Sequence, residues 1–135
     1  MAESLIDELL TGAYNAGASD IHLKAGSRPA LRIDGRLVFV KDAPEFSAEE
    51  LEGVIYSILN DRQREKFERE KELDLAYSIR DLSRFRVNIF QERGTIACAL
   101  RSIPYAIRDF EELHLPRVLE KISEEERGMI ILTGT

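Results

Sequence analysis

Apolar residues first recur at helical spacing. Leu5, Ile6, Leu9, Leu10, Ala13 and Tyr14 share one side of a helix that Ser4 can cap and Gly17 can end. The period then shortens to two. Ile21 and Leu23 alternate with Asp20, His22 and Lys24, which predicts a short strand. Apolar runs at 30–33 and 36–40 flank Asp34-Gly35, a strong hairpin signal. Ser47 and Glu50 have the spacing of a capping box, and Leu51, Val54, Ile55, Ile58 and Leu59 supply the buried stripe behind it. Asn60 or Asp61 restarts a helix of almost wholly charged residues, 62–71, with Phe67 as its single apolar anchor.

Three strands follow. Leu73, Leu75, Tyr77 and Ile79 alternate, as do Phe85, Val87 and Ile89, and the third run covers 95–103 after a turn at Gly94. From Pro104 the pattern is helical in short pieces, with Pro116 suited to the first turn of a helix through Ile122. Residues 124–127 make a charged connector before the apolar run Met129-Ile130-Ile131-Leu132. The order of elements predicts an α+β fold with a mostly antiparallel sheet flanked by helices.

Composition narrows the choice. The 135 residues are 44% hydrophobic and 33% charged, enough for one packed core and too apolar for a disordered chain. A net charge of -6 opposes nucleic acid as a partner. The single cysteine, Cys98, falls on the core side of its strand, so a buried inert thiol is expected. The acidic start lacks the basic region of a signal peptide, and no apolar run reaches the roughly 18–20 residues of a membrane span, so a soluble protein is expected. His22 and His114 lie far apart with no cysteine pair near them. Zinc spacing is absent, and a hydrogen-bonding role beside Ser19 and Asp20 is expected for His22.

The segment 84–102 carries candidate chemistry. With Phe90 paired to Thr95 across a four-residue turn, Val87 faces Cys98 and Arg84 faces Arg101. Phe85, Val87, Ile89, Cys98 and Leu100 then share one face, and Arg84, Arg86, Asn88 and Arg101 share the other. Arginines gathered on one face fit an anion, because a guanidinium donates two parallel hydrogen bonds and stays charged. The alternative is a solvated face neutralised by Asp74 or another acid on a neighbouring strand.

The chain closes on Thr133-Gly134-Thr135, the way a buried strand enters a glycine-rich phosphate loop. Gly134 would be the first glycine of a Gly-x-x-x-x-Gly-Lys-Ser/Thr loop, whose lysine and hydroxyl residue would lie beyond Thr135.

Several motifs occur together in one order. Ala18-Ser19-Asp20-Ile21-His22-Leu23, Arg32-Ile33-Asp34-Gly35, Arg84-Phe85-Arg86-Val87-Asn88, Arg101-Ser102-Ile103-Pro104 and Glu111-Glu112-Leu113 resemble the amino-terminal domain of secretion and pilus ATPases. Within that superfamily the chain is most similar to the PilT-type retraction ATPases. A start almost at Met1 fits this subgroup. The resemblance implies a PAS-like domain over 1–104, an interdomain linker over 105–127, and the first strand and loop start of a RecA-like ATPase domain over 128–135. It implies ATP and magnesium as cofactors of the full-length protein, with Arg84, Arg86, Arg101, Gly134 and Thr135 near the nucleotide. Arg86 and Arg101 would sense the terminal phosphate, while Arg84 would bond a neighbouring carboxylate. A cytoplasmic homohexamer acting on an inner-membrane pilus platform protein is implied too, with these 135 residues alone monomeric and without ATP turnover. A stand-alone PAS-type sensor or interaction module is the alternative from a different class.

Overall fold

A computed structural model describes residues 4–134. The first helix, α1 (Leu5–Asn15), starts where Ser4 Oγ accepts the Asp7 amide at 3.3 Å. It leads into β1 (Asp20–Lys24), β2 (Ala30–Ile33) and β3 (Arg36–Phe39). The turn between β2 and β3 is Asp34-Gly35, with φ of 48° and 78°. Two left-handed residues in succession match the right-handed twist of the strands, which is why glycine follows aspartate there.

Next, α2 (Ala48–Tyr56) begins with the expected capping box: Ser47 and Glu50 exchange hydrogen bonds of 3.2 and 2.8 Å. The helix stops at Tyr56, so Ile58 and Leu59 reach the core from the connection that follows. The charged helix α3 (Asp61–Glu70) is capped reciprocally by Asn60 and Gln63. Its surface carries Arg64–Glu68 and Lys66–Glu70 pairs one turn apart, and Phe67 alone is buried. Lys71 at φ 61° ends the helix and turns the chain into β4 (Glu72–Ile79), β5 (Ser83–Glu92) and β6 (Thr95–Ile103).

The six strands of the described residues form one antiparallel sheet in the order β3-β2-β1-β6-β5-β4. Placing β1 beside β6 joins the two hairpin systems at the centre. Side chains alternate across the sheet, so one face collects Ile21, Leu23, Leu31, Leu73, Phe85, Val87, Ile89, Cys98 and Leu100. These pack with Ile6 and Leu10 of α1, Leu51 and Ile55 of α2, and Phe67 of α3. The fold is α+β, as the pattern predicts. The other face of the sheet, bearing the alternate residues, holds the site described below.

Burial pushes the pKa of the Cys98 thiol up to about 12. In the native protein, Cys98 should react with a thiol reagent such as DTNB far more slowly than in urea. Comparable rates in both conditions would mean that the core face is misassigned.

A first compact unit runs to Tyr105, and a second begins at Ala106. In the second, Asp109 and Glu112 cap each other through hydrogen bonds of 2.8 and 3.0 Å, and α4 (Val118–Ser123) has no buried side chain. Residues 129–134 adopt no regular secondary structure, and Met129, Ile130, Ile131 and Leu132 are exposed. The strand expected there is not formed among the described residues. A central strand exists only through neighbours that take its hydrogen bonds and cover both faces, and this segment has none. Gly134 lies in this irregular segment, and Thr135 lies outside the described residues.

Candidate functional site

The turn between β5 and β6 corrects the expected register. It contains two residues, Arg93 and Gly94, at φ 49° and 82°, so Glu92 pairs with Thr95. The pairing therefore shifts by two residues from the four-residue turn expected. Arg86, not Arg84, sits directly opposite Arg101, and Val87 opposes Leu100. A two-residue slip preserves side-chain alternation, so every residue stays on its expected face. Arg84 instead opposes Ile103 on one side and Ser78 on the other. No carboxylate lies within ion-pair distance of Arg84 among the described residues, so the expected bond is absent. Of the three candidate arginines, the one held by a carboxylate is Arg101.

The sheet order completes a row of charges across four strands. Asp20 of β1 pairs with Arg32 of β2 on one side and with Arg101 of β6 on the other, and Arg101 pairs with Arg86 of β5. Neighbouring strands are about 4.8 Å apart, so the row reads Arg32, Asp20, Arg101, Arg86 along one line of the face opposite the helices. Arg101 Nε donates to Asp20 Oδ1 at 2.9 Å, and Arg32 Nε lies 3.8 Å from Asp20 Oδ2. The Ser19 hydroxyl donates to the same Oδ2 at 2.8 Å. Arg86 has no acidic partner within ion-pair distance among the described residues.

The acid paired with Arg101 is thus Asp20, an acid on a neighbouring strand as the alternative allows, and Asp74 makes no ion pair among the described residues. One row away, Asn88 donates from Nδ2 to Glu72 at 3.3 Å and Asp74 at 3.4 Å. Asp74, Asn88, Arg86, Arg101 and Asp20 border an open recess of about 300 Å³, with Ala99 in its floor. Like charges at directly opposed positions of adjacent strands, as Arg86 and Arg101 are, destabilise the pairing. A phosphate lying across both relieves that repulsion and receives paired donors.

Burial pulls the Asp20 carboxyl toward a higher pKa. The Ser19 hydroxyl, the Arg101 hydrogen bond and the charges of Arg101 and Arg32 outweigh it, leaving the carboxyl below its ordinary value of 3.8. A lowered folded-state pKa adds stability above the ordinary value and loses it as pH falls through the folded value. The melting-temperature advantage of the native protein over Asp20→Asn should therefore be present near neutral pH. It should shrink below pH 3.8. The advantage corresponds to about 1 kcal/mol, because Arg101 is largely exposed and only the carboxylate is shielded. A gap independent of pH would remove the ion pair as its cause.

His22 lies in the next row, between Ala30 and Ala99. Its Nε2 is buried without a hydrogen-bond partner, so the expected bond beside Asp20 and Ser19 is not made through that atom. The Ser19 hydroxyl goes to Asp20 instead. No group of three metal-ligating side chains forms among the described residues. No described helix is long and apolar enough to cross a membrane.

The residues that sequence reasoning missed as members of the row are Arg32 and Asp20. Both were visible as polar positions alternating with apolar ones. Only the pairing of β1 with β6 puts them in line with Arg86.

No protein-family profile matches the chain. Among curated proteins, the type IV pilus retraction ATPase PilT of Pseudomonas aeruginosa is 36% identical over 129 residues, covering 96% of this chain and 37% of PilT. A twitching motility protein of Neisseria gonorrhoeae is 33% identical over 134 residues, covering 99% of this chain and 35% of that protein. A crystal structure of the pilus retraction motor PilT with bound ADP superposes with a TM-score of 0.75 at 38% identity. The match covers 92% of this chain and 36% of that one. The chain spans little more than a third of the length of these relatives. By sequence and by fold, the chain is homologous to the PilT-type secretion ATPases and carries the fold of their amino-terminal domain.

Proposed function

We propose that this chain is the nucleotide-sensing amino-terminal domain of an ATPase that drives type IV pilus retraction. The observation that carries the reading is the direct opposition of Arg86 and Arg101 on the face of the sheet opposite the helices. Two always-charged bidentate donors facing one recess match the equatorial oxygens of a transferring phosphoryl group. Homology to ATPases supports this above a stand-alone sensor module. In the reading, ATP lies between this domain and an ATPase domain. Arg86 and Arg101 reach the terminal phosphate, and Arg84, two residues along the same strand face, adds positive potential at the rim. Gly134 and Thr135 begin the loop that cradles the phosphates, while magnesium is held by the ATPase domain. The full-length protein works as a cytoplasmic homohexamer against a pilus platform protein in the inner membrane, and twitching motility is the outcome.

The residues present fit a phosphate. The lysine and hydroxyl groups that hold and polarise a triphosphate belong to the part of the loop that follows. The 135 residues alone should release no phosphate from ATP in a coupled assay and should run as a monomer in light scattering. The full-length protein should hydrolyse ATP and restore twitching to a piliated host whose retraction ATPase has been deleted. A full-length protein without ATPase activity would overturn the reading, as would turnover by the 135 residues alone.

A further inference from the structure

Asp20 occupies a position that a simple anion site would leave empty. A carboxylate within a row of arginines repels the very ligand those arginines attract. Its side chain is only 14% exposed, whereas that of Arg101 is 72% exposed. The acid is therefore fixed and the arginine has room to move. On its far side Asp20 keeps Arg32 and the Ser19 hydroxyl. When Arg101 leaves, the carboxylate is not stranded, so the large penalty of an unpaired, shielded charge does not arise. Arg86, directly opposite Arg101, has no acid to give up.

We propose that Asp20 is a resident counter-ion that parks Arg101 on the sheet and yields it to the terminal phosphates of a polyphosphate chain. The inference rests on the phosphate reading above and adds a rule of discrimination by charge. Arg86 makes the first contact. Arg101 swings across only when the incoming group outbids a carboxylate, which a multiply charged phosphate chain does more strongly than one inorganic phosphate. Arg32 takes over the Asp20 charge during the exchange. Asp20 is a positioning residue in this scheme: it touches the arginine and not the ligand.

The experiment uses the 135-residue protein labelled with ¹⁵N, observing arginine Nε–Hε resonances during titration with tripolyphosphate or with inorganic phosphate. Tripolyphosphate should shift both Arg86 and Arg101 and speed exchange of the Arg101 Hε with water, while inorganic phosphate should move Arg86 more than Arg101. Asp20→Asn should bind tripolyphosphate roughly three- to ten-fold more tightly, the effect of removing one like charge beside an anion at a protein surface. Glu70→Gln on α3, which changes net charge equally, should alter binding less than two-fold, and Arg86→Ala should abolish it. Unchanged or weaker binding by Asp20→Asn would overturn the counter-ion role and leave the phosphate reading standing. So would an Arg101 resonance that stays still while Arg86 responds, a test in the unsubstituted protein that needs no folded variant. Absence of any tripolyphosphate response at Arg86 would overturn the phosphate reading and the counter-ion role together.

Discussion

Replacing Arg86 or Arg101 with alanine in the full-length protein should lower ATP turnover by roughly 10³-fold, with the melting temperature nearly unchanged. The size follows from the position proposed for these groups. An arginine that meets the terminal phosphate as charge spreads over its oxygens contributes about 10³–10⁵-fold to phosphoryl transfer. The small effect on stability follows from the sheet. Both side chains are exposed and stand on the face away from the helices, where substitutions usually stay within about 0.5 kcal/mol. Arg86→Ala also removes a repulsion with Arg101, so its stability should not fall. Arg101→Ala leaves Asp20 with Arg32 and Ser19, so its loss should be small and should disappear in acid as the carboxylate protonates. Full turnover in both variants would return the row to an ordinary solvated surface. Lys71→Ala, at the end of the charged helix, serves as the control.

Phe85→Ala should have the opposite signature, a collapse of stability. Phe85 is adjacent in sequence to both Arg84 and Arg86, yet it is fully buried. It points to the other face of the sheet, among Val87, Ile89 and Leu100 in the core shared with the three helices. Truncating a buried phenylalanine costs about 3–5 kcal/mol, through lost transfer energy and the cavity left behind. A domain of this size has a total stability of about 5–15 kcal/mol, so the variant should melt more than about 10 °C lower or fail to accumulate. Thermal unfolding followed by circular dichroism measures it. A melting point within about 2 °C of the parent would mean that β5 is inverted, and the arginine assignment would fall with it.

Local chemistry makes most of the fold readable in the sequence. Capping residues at Ser4, Ser47 and Asn60 fix helix starts through hydrogen bonds made within three residues, so the helices were legible. So was the Asp34-Gly35 turn, because few residue pairs tolerate two successive left-handed conformations. The second hairpin was harder. Arg93 is a non-glycine residue at positive φ, and nothing in its own chemistry separates a two-residue turn from a four-residue one. The faces of β5 and β6 survived that ambiguity because both registers have the same parity. The partner of Arg101 did not. Sheet order lay beyond local pattern altogether. The contact of Asp20 with Arg101 spans 81 residues and depends on β1 inserting beside β6, which no periodicity encodes. The run 129–132 reads as a buried strand because its residues are apolar. A strand is also a relation to neighbours, and the described residues supply none for it.

The most direct measurement compares two nucleotides on two proteins. Full-length protein and its Arg86→Ala variant are titrated with ADP and with a non-hydrolysable ATP analogue under identical magnesium and salt. A sensor of the terminal phosphate contributes only where that phosphate is present. The ATP analogue should therefore bind the variant at least about ten-fold more weakly, consistent with losing one charge-assisted hydrogen-bonding group, while ADP affinity stays within about two-fold. Equal losses for both nucleotides, or no loss for either, would contradict the assignment of Arg86 to the terminal phosphate.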